Sequence, residues 1–166
     1  MKLYSKAILL VAALGVSACT NPGRFGAGGA GGVDGSGIGG ASDPTSTAYF
    51  QQTVGDRVLF AVDQHTLTSE ASTVLEQQAM WLLTNTDYTA VIEGHADEQG
   101  TTAYNVALSA RRANSVIEYL VARGVAASRL RPLPLGKARP IAICSEESCY
   151  AQNRRSVTVL AAGGIS

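Results

Sequence analysis

The stretch Val91-Ile-Glu-Gly-His-Ala-Asp97-Glu-Gln-Gly100-Thr-Thr-Ala-Tyr-Asn105-Val-Ala-Leu-Ser109-Ala-Arg111-Arg-Ala-Asn-Ser-Val-Ile-Glu-Tyr-Leu120 decides how the chain folds. Its first residues continue the run Tyr88-Thr-Ala-Val-Ile-Glu93 and read as a buried strand. A polar loop rich in acid and glycine follows. Beyond it Ala103, Ala107, Ala110, Ala113, Ile117, Leu120 and Val121 recur on one side of a helix running from about Thr102 to Arg123. Gly124, just past that end, suits the left-handed C′ position that closes many helices.

Working outward, Arg57-Val-Leu-Phe-Ala-Val62 reads as an earlier apolar strand ended by Asp63. Thr68 or Ser69 caps a first helix, whose stripe is Ala71, Val74, Leu75, Ala79, Leu82 and Leu83. Met80 and Trp81 lie beside the stripe as packing residues, and Asn85 and Asp87 end the helix. Downstream, Ser128-Arg-Leu-Arg-Pro-Leu-Pro-Leu135 forms a third strand, which its prolines confine to an edge or make irregular. Arg154 to Leu160 forms a fourth. Strands alternating with helices predict an α/β sandwich of βαβαβ type, with the helices on one face of a mixed sheet.

The N-terminal region is organised differently. Lys2 and Lys6 precede the apolar run Ala7 to Val16, and small residues Ser17-Ala18 follow, as in an export signal. The run is too short for a spanning helix, which needs about 20 apolar residues. Val16-Ser17-Ala18-Cys19 resembles the lipobox of bacterial lipoproteins, in which the cysteine is acylated. Thr20 in place of aspartate then implies, by resemblance to the enteric sorting rule, the outer membrane. Ten of the 18 glycines fall between Gly23 and Gly40, so the glycine excess is local. Residues Asn21 to Thr47 are too poor in apolar area to offset their ordering entropy. As a flexible coil this linker would span about 30 Å on average and at most about 90 Å. The expected division is therefore a signal peptide at 1–18, a lipidated cysteine and linker at 19–48, and a folded domain at 49–166.

From Tyr49 onward ten Lys/Arg oppose eleven Asp/Glu, a balance that argues against nucleic acid as a partner. A small polar ligand or a protein remains open. In the central stretch Asp97 and Glu98 offer anionic acceptors, Arg111 offers a planar cationic fork suited to a carboxylate, and Asn105 and Ser109 add neutral groups. Both signs together would match a zwitterion, an ammonium beside a carboxylate. The same residues also allow a purely structural ion pair of Arg111 with Asp97 or Glu98. His65, His95, Asp97 and Glu98 are metal-ligand types, but no His-Glu-x-x-His or Cys-x-x-Cys spacing accompanies them, and neither a metal nor a cofactor is expected. Adjacent Asp97 and Glu98 cannot face each other across a glycosidic bond, and no Gly-x-Ser-x-Gly is present, so an enzyme is not expected.

Asn105-x-x-Leu108-Ser109-x-x-Arg112-Ala113-x-x-Val116 closely resembles the signature of the OmpA-like domain family, over a region covering Val58 to Leu160. Asp97-Glu-x-Gly100-Thr-x-x-Tyr104-Asn105, joined to a lipobox, resembles the peptidoglycan-associated lipoproteins (Pal) within it. The resemblance implies non-covalent binding of the diaminopimelate side chain in the peptide stem of peptidoglycan. Asp97 would hold its ammonium, and a signature-helix arginine its carboxylate. Arg112 is the match for that arginine, with Arg111 as runner-up. The two stand about 100° apart on a helix and cannot share a pocket. Asp63, in Phe60-x-x-Asp63, and Asn105 would contribute to the same cleft, while Leu108 reads as core. Val62, Gln64 and Ala96 depart from the usual phenylalanine, lysine and threonine at its rim. The resemblance also implies partnership with TolB and the other Tol proteins in envelope constriction. Asn153-Arg154-Arg155 resembles the family's approach to the last strand and is open to a structural or a ligand role. In an oxidising periplasm Cys144 and Cys149 form a disulfide by default.

Overall fold

The computed structural model describes residues 40–162. The expected signal peptide, Cys19 and most of the expected linker lie outside the described residues. Within them, no helix is long and apolar enough to cross a membrane.

The element order is α1 (Thr47–Tyr49, continuing into a π-helical turn Phe50–Gly55), β1 (Arg57–Leu59), α2 (Ser69–Thr84), β2 (Tyr88–His95), α3 (Thr102–Ala122), β3 (Leu130–Gly136), α4 (Glu147–Asn153) and β4 (Arg155–Ala162). The strands form one mixed sheet in the order β1-β4-β2-β3, with β2 parallel to β3 and the remaining pairs antiparallel. The proline-bearing β3 is an edge strand, where a missing N–H costs no ladder bond.

Alternation along β2 buries Ala90 and Ile92 against α2 and α3, where they join Val58, Leu75, Leu82, Val116 and Leu120 in the core. The opposite face carries the more exposed Leu59, Leu133 and Val159. Thr68 caps α2 by accepting from the Ala71 N–H at 3.1 Å, and Thr101 caps α3 by accepting from Tyr104 at 3.2 Å. The C-terminal end of α2 is closed from a distance by Arg129, whose guanidinium donates to the carbonyls of Leu82, Asn85 and Tyr88 at 2.8–2.9 Å. Gly124 has φ +100°, the left-handed C′ residue that the sequence predicts for α3.

The close seating of α3 on the sheet rests on Gly94. A Cβ there would lie 1.9 Å from the carbonyl oxygen of Ser109, so only glycine lets the helix backbone lie on β2. The Ser109 hydroxyl, fully buried, donates to Val106 O and accepts from the Gly136 N–H, pinning α3 to the end of β3.

Three expectations are corrected. The first strand ends at Leu59 rather than Val62. Phe60 still donates to Arg154 O at 2.8 Å, but the chain then turns through Ala61–Gln64, with Asp63 at φ +57°. The packed segment extends upstream of Tyr49. Trp81 Nε1 donates to Pro44 O at 2.7 Å, Tyr88 Oη donates to Thr45 O at 3.0 Å, and buried Ser46 caps α1. Helix α4 was not expected, because seven residues with few apolar members display no periodicity.

Candidate functional site

The early turn after β1, the loop after β2 and the N-terminal half of α3 meet in a cleft of about 410 Å³. Its walls are Val62, Asp63, Asp97, Gln99, Gly100, Tyr104, Asn105, Leu108 and Arg112. A larger groove of about 470 Å³ lies beside α2, lined by residues that include Pro44, Tyr49, Met80 and Trp81. Its walls carry no ionisable acid or base apart from the Tyr49 phenol, whereas charges of both signs converge on the smaller cleft.

Arg112 forms the floor. Signature spacing on α3 turns it inward, and its residue exposure is 0%. Nε donates to Gln64 O at 2.8 Å, Nη1 to His95 O at 2.8 Å, and Nη2 to Ala61 O at 3.2 Å. The Phe60 ring lies 5.2 Å beneath the guanidinium carbon. The turn that ends β1 early is therefore the device that aims two carbonyls at this guanidinium. A guanidinium has five N–H donors, so three bonds leave two unspent. Burial pushes the Arg112 pKa down to about 10 against the opposing pull of Asp97, which leaves it cationic at neutral pH. Arg111, one residue earlier, is exposed and does not line the cleft.

Asp97 sits where β2 passes into the loop and is 8% exposed. Its Oδ1 accepts from the Gln99 N–H at 3.2 Å, and its Oδ2 accepts from Arg154 Nη1 at 3.2 Å. Each oxygen retains acceptor capacity. The partner of Asp97 is thus Arg154, not the Arg111 that a local ion pair would have used. Asn105, expected as a ligand contact, is 1% exposed and spends its Nδ2 hydrogens on Asp97 O at 3.2 Å and Gln99 O at 2.8 Å. Its role in this geometry is to hold the loop down from within. Lys137 holds the same loop from outside through Gly100 O at 2.9 Å. Asp63 stands at the opposite rim and accepts from the Tyr104 hydroxyl. That bond raises the Tyr104 pKa above its ordinary value.

The motif Asn153-Arg154-Arg155 divides its work. Asn153 binds the Ile141 and Ala142 backbone through its side-chain amide at 2.8–3.2 Å. Arg155 reaches Arg139 O at 3.2 Å. Arg154 also donates to Phe60 O at 3.3 Å and pairs with Glu147 at the start of α4. The sequence signals Arg154 only through its motif, because its partner Asp97 is 57 residues away. The Cys144–Cys149 disulfide is present, with Cα atoms 5.8 Å apart. His95 points elsewhere, toward Glu93 at 3.3 Å, and among the described residues no three His, Cys, Asp or Glu side chains gather as a metal-ligand set.

A strand-end aspartate and a buried helical arginine facing one cleft, on this sheet order, define the class. The OmpA family model matches residues 59–154. The chain belongs to the OmpA family and, within it, to the peptidoglycan-associated lipoproteins. It is 43% identical over 163 residues to the peptidoglycan-associated lipoprotein of Mesorhizobium japonicum, covering 95% of this chain and 92% of that one. To the lipoprotein of the same name from Rhizobium meliloti it is 46% identical, covering 79% and 76%. The crystal structure of the peptidoglycan-associated lipoprotein from Burkholderia pseudomallei superposes with a TM-score of 0.66 at 30% identity, over 72% of this chain and all of that one. The names of these relatives are those of lipoproteins, in line with the resemblance in the signature helix.

Proposed function

We propose that this domain grips the diaminopimelate side chain of the peptidoglycan peptide stem without chemistry on it. Asp97 receives the ammonium, and the two unspent N–H groups of Arg112 receive the carboxylate. Asp63 and Tyr104 bound the opposite rim, and Asn105 holds the loop that carries Asp97. The observation that carries this reading is the state of Arg112: buried and cationic, with three donors fixed on carbonyls and the others unspent, in the cleft that Asp97 also lines. Such a fork is pre-organised for a planar carboxylate. With Cys19 acylated, the chain tethers the outer membrane to the cell wall from the periplasmic face. The three acyl chains of the lipoprotein class make that anchor durable where one alone is marginal. Within the Tol–Pal system it engages TolB during envelope constriction, a role that rests on the resemblance carried by the lipobox and Asp97-Glu-x-Gly100-Thr-x-x-Tyr104-Asn105; TolB is expected to co-purify with the chain from envelopes, and its absence would contradict the role.

The direct test is retention of the full chain by purified sacculi. Asp97→Ala is expected to lower retention at least about tenfold in protein shown by circular dichroism to be folded, since one partner of a desolvated charge pair is lost. Arg112→Lys is expected to do the same, because an ammonium cannot reproduce the fork, while Arg111→Ala binds as the parent does. Undiminished retention by Asp97→Ala would overturn the site.

A further inference from the structure

Asp97 is expected to receive a cation, yet it already bonds one. Its Oδ2 lies 3.2 Å from Arg154 Nη1, and both side chains are nearly buried. Left as an isolated pair, the two charges would cancel and the carboxylate would offer little to an ammonium. The structure supplies a counterweight. Arg154 is shared with Glu147, which approaches Nη1 at 3.4 Å and accepts from Nη2. Burial pulls the Arg154 pKa down, but the bonds to Glu147 and then to Asp97 outweigh it and leave the guanidinium above its ordinary value. Arg154 thus meets two carboxylates, Asp97 and Glu147, so its single positive charge is divided between them. Without Glu147 the whole of that charge falls to Asp97. Glu147 does not line the cleft, and it is placed by the first turn of α4, inside the interval closed by the Cys144–Cys149 disulfide.

We propose that Glu147 is a positioning residue that acts through Arg154: it draws the guanidinium's charge away from Asp97, so that Asp97 keeps a net attraction for the ligand's ammonium. This rests on the reading of Asp97 as the ammonium site. The residue therefore sets selectivity for the amine without touching the ligand.

The test is calorimetric titration of the full chain, in detergent, with two soluble stem peptides. One carries diaminopimelate with its side-chain amine free, and the other carries the same residue with that amine N-acetylated. Glu147→Gln removes the charge and keeps a hydrogen-bonding oxygen for Arg154. The side chain is 65% exposed, so folding is retained and solvent screening limits the effect. Affinity for the free amine is expected to fall roughly two- to fivefold, the range of an exposed ion pair. The weak binding of the acetylated peptide stays as in the parent, and Glu147→Asp restores the free-amine affinity. Unchanged free-amine affinity in Glu147→Gln, equal losses on both peptides, or no recovery in Glu147→Asp would each overturn the inference. If the parent protein itself fails to distinguish the two peptides, the ammonium assignment of Asp97 falls, and this inference with it.

Discussion

Arg112 holds a charge out of water and keeps it. Three carbonyls from two separate segments surround it, and the Phe60 ring packs beneath. A buried charge with this many partners is costly to disturb, since removing one partner leaves the others unsatisfied. That Arg112 rather than Arg111 lines the cleft was half legible. Helical geometry says that the two diverge, and the signature register points to Arg112, but only the folded chain puts one at 0% exposure and the other in solvent. The pairing of Asp97 with Arg154 had no local signal. His95 makes a separate prediction. Its ring is buried, Nδ1 has no partner among the described residues, and Nε2 meets Glu93. Burial, then the charge of Arg155, pushes its pKa down to about 4, with Glu93 opposing and Arg139 adding to the fall. The unfolded chain takes up this proton near its ordinary 6.5, before the folded one does. Stability is therefore full above that pH and falls as the pH drops from about 6.5 to about 4, by about 3 kcal/mol at the low end. Denaturant titrations across this interval should show the slope in the parent and a shallower one in His95→Gln. The same slope in both would contradict the assignment.

Helix α3 and strand β2 are the elements that matter most, and their contact is set by the residue that lacks a side chain. Gly94 admits the Ser109 carbonyl, and Ser109 in turn anchors the Gly136 N–H. The signature serine is thus a packing fastener rather than a ligand group. Gly94→Ala would force backbone apart from backbone, which no rotamer change relieves. It is expected to destabilise the domain by about 3 kcal/mol or more in chemical denaturation, and an unaffected midpoint would refute this packing account. The long elements were legible because eight-residue β2 and 21-residue α3 have room to display their periods. The end of β1 was not, because its apolar run continues to Val62 while the needs of Arg112 turn the backbone out of the sheet. Nor was the packed entry of Pro44 to Ser46, since a composition-based boundary does not see that the Trp81 indole and the Tyr88 hydroxyl need carbonyl partners.

At the scale of the molecule, the order of elements and the mixed sheet follow from the alternating pattern, while the cleft depends on residues far apart in the chain. Asp63 and Asp97 come from the turn after β1 and the loop after β2, Arg112 from α3, and Arg154 from the junction of α4 and β4. The motifs name these residues singly; the fold makes them one amphoteric site. As the proposed binding site, it makes a demand that neither charge alone would make: the ligand would have to carry both an ammonium and a carboxylate at the end of one side chain. The most direct measurement is calorimetric titration of the full chain with two soluble stem peptides that differ at one position, diaminopimelate in one and lysine in the other. Lysine keeps the ammonium and lacks the carboxylate, so the Arg112 fork would go unpaired. The diaminopimelate peptide is expected to bind at least about tenfold more tightly, the usual cost of leaving a buried charged donor without its partner. Equal affinity for the two peptides would contradict the account.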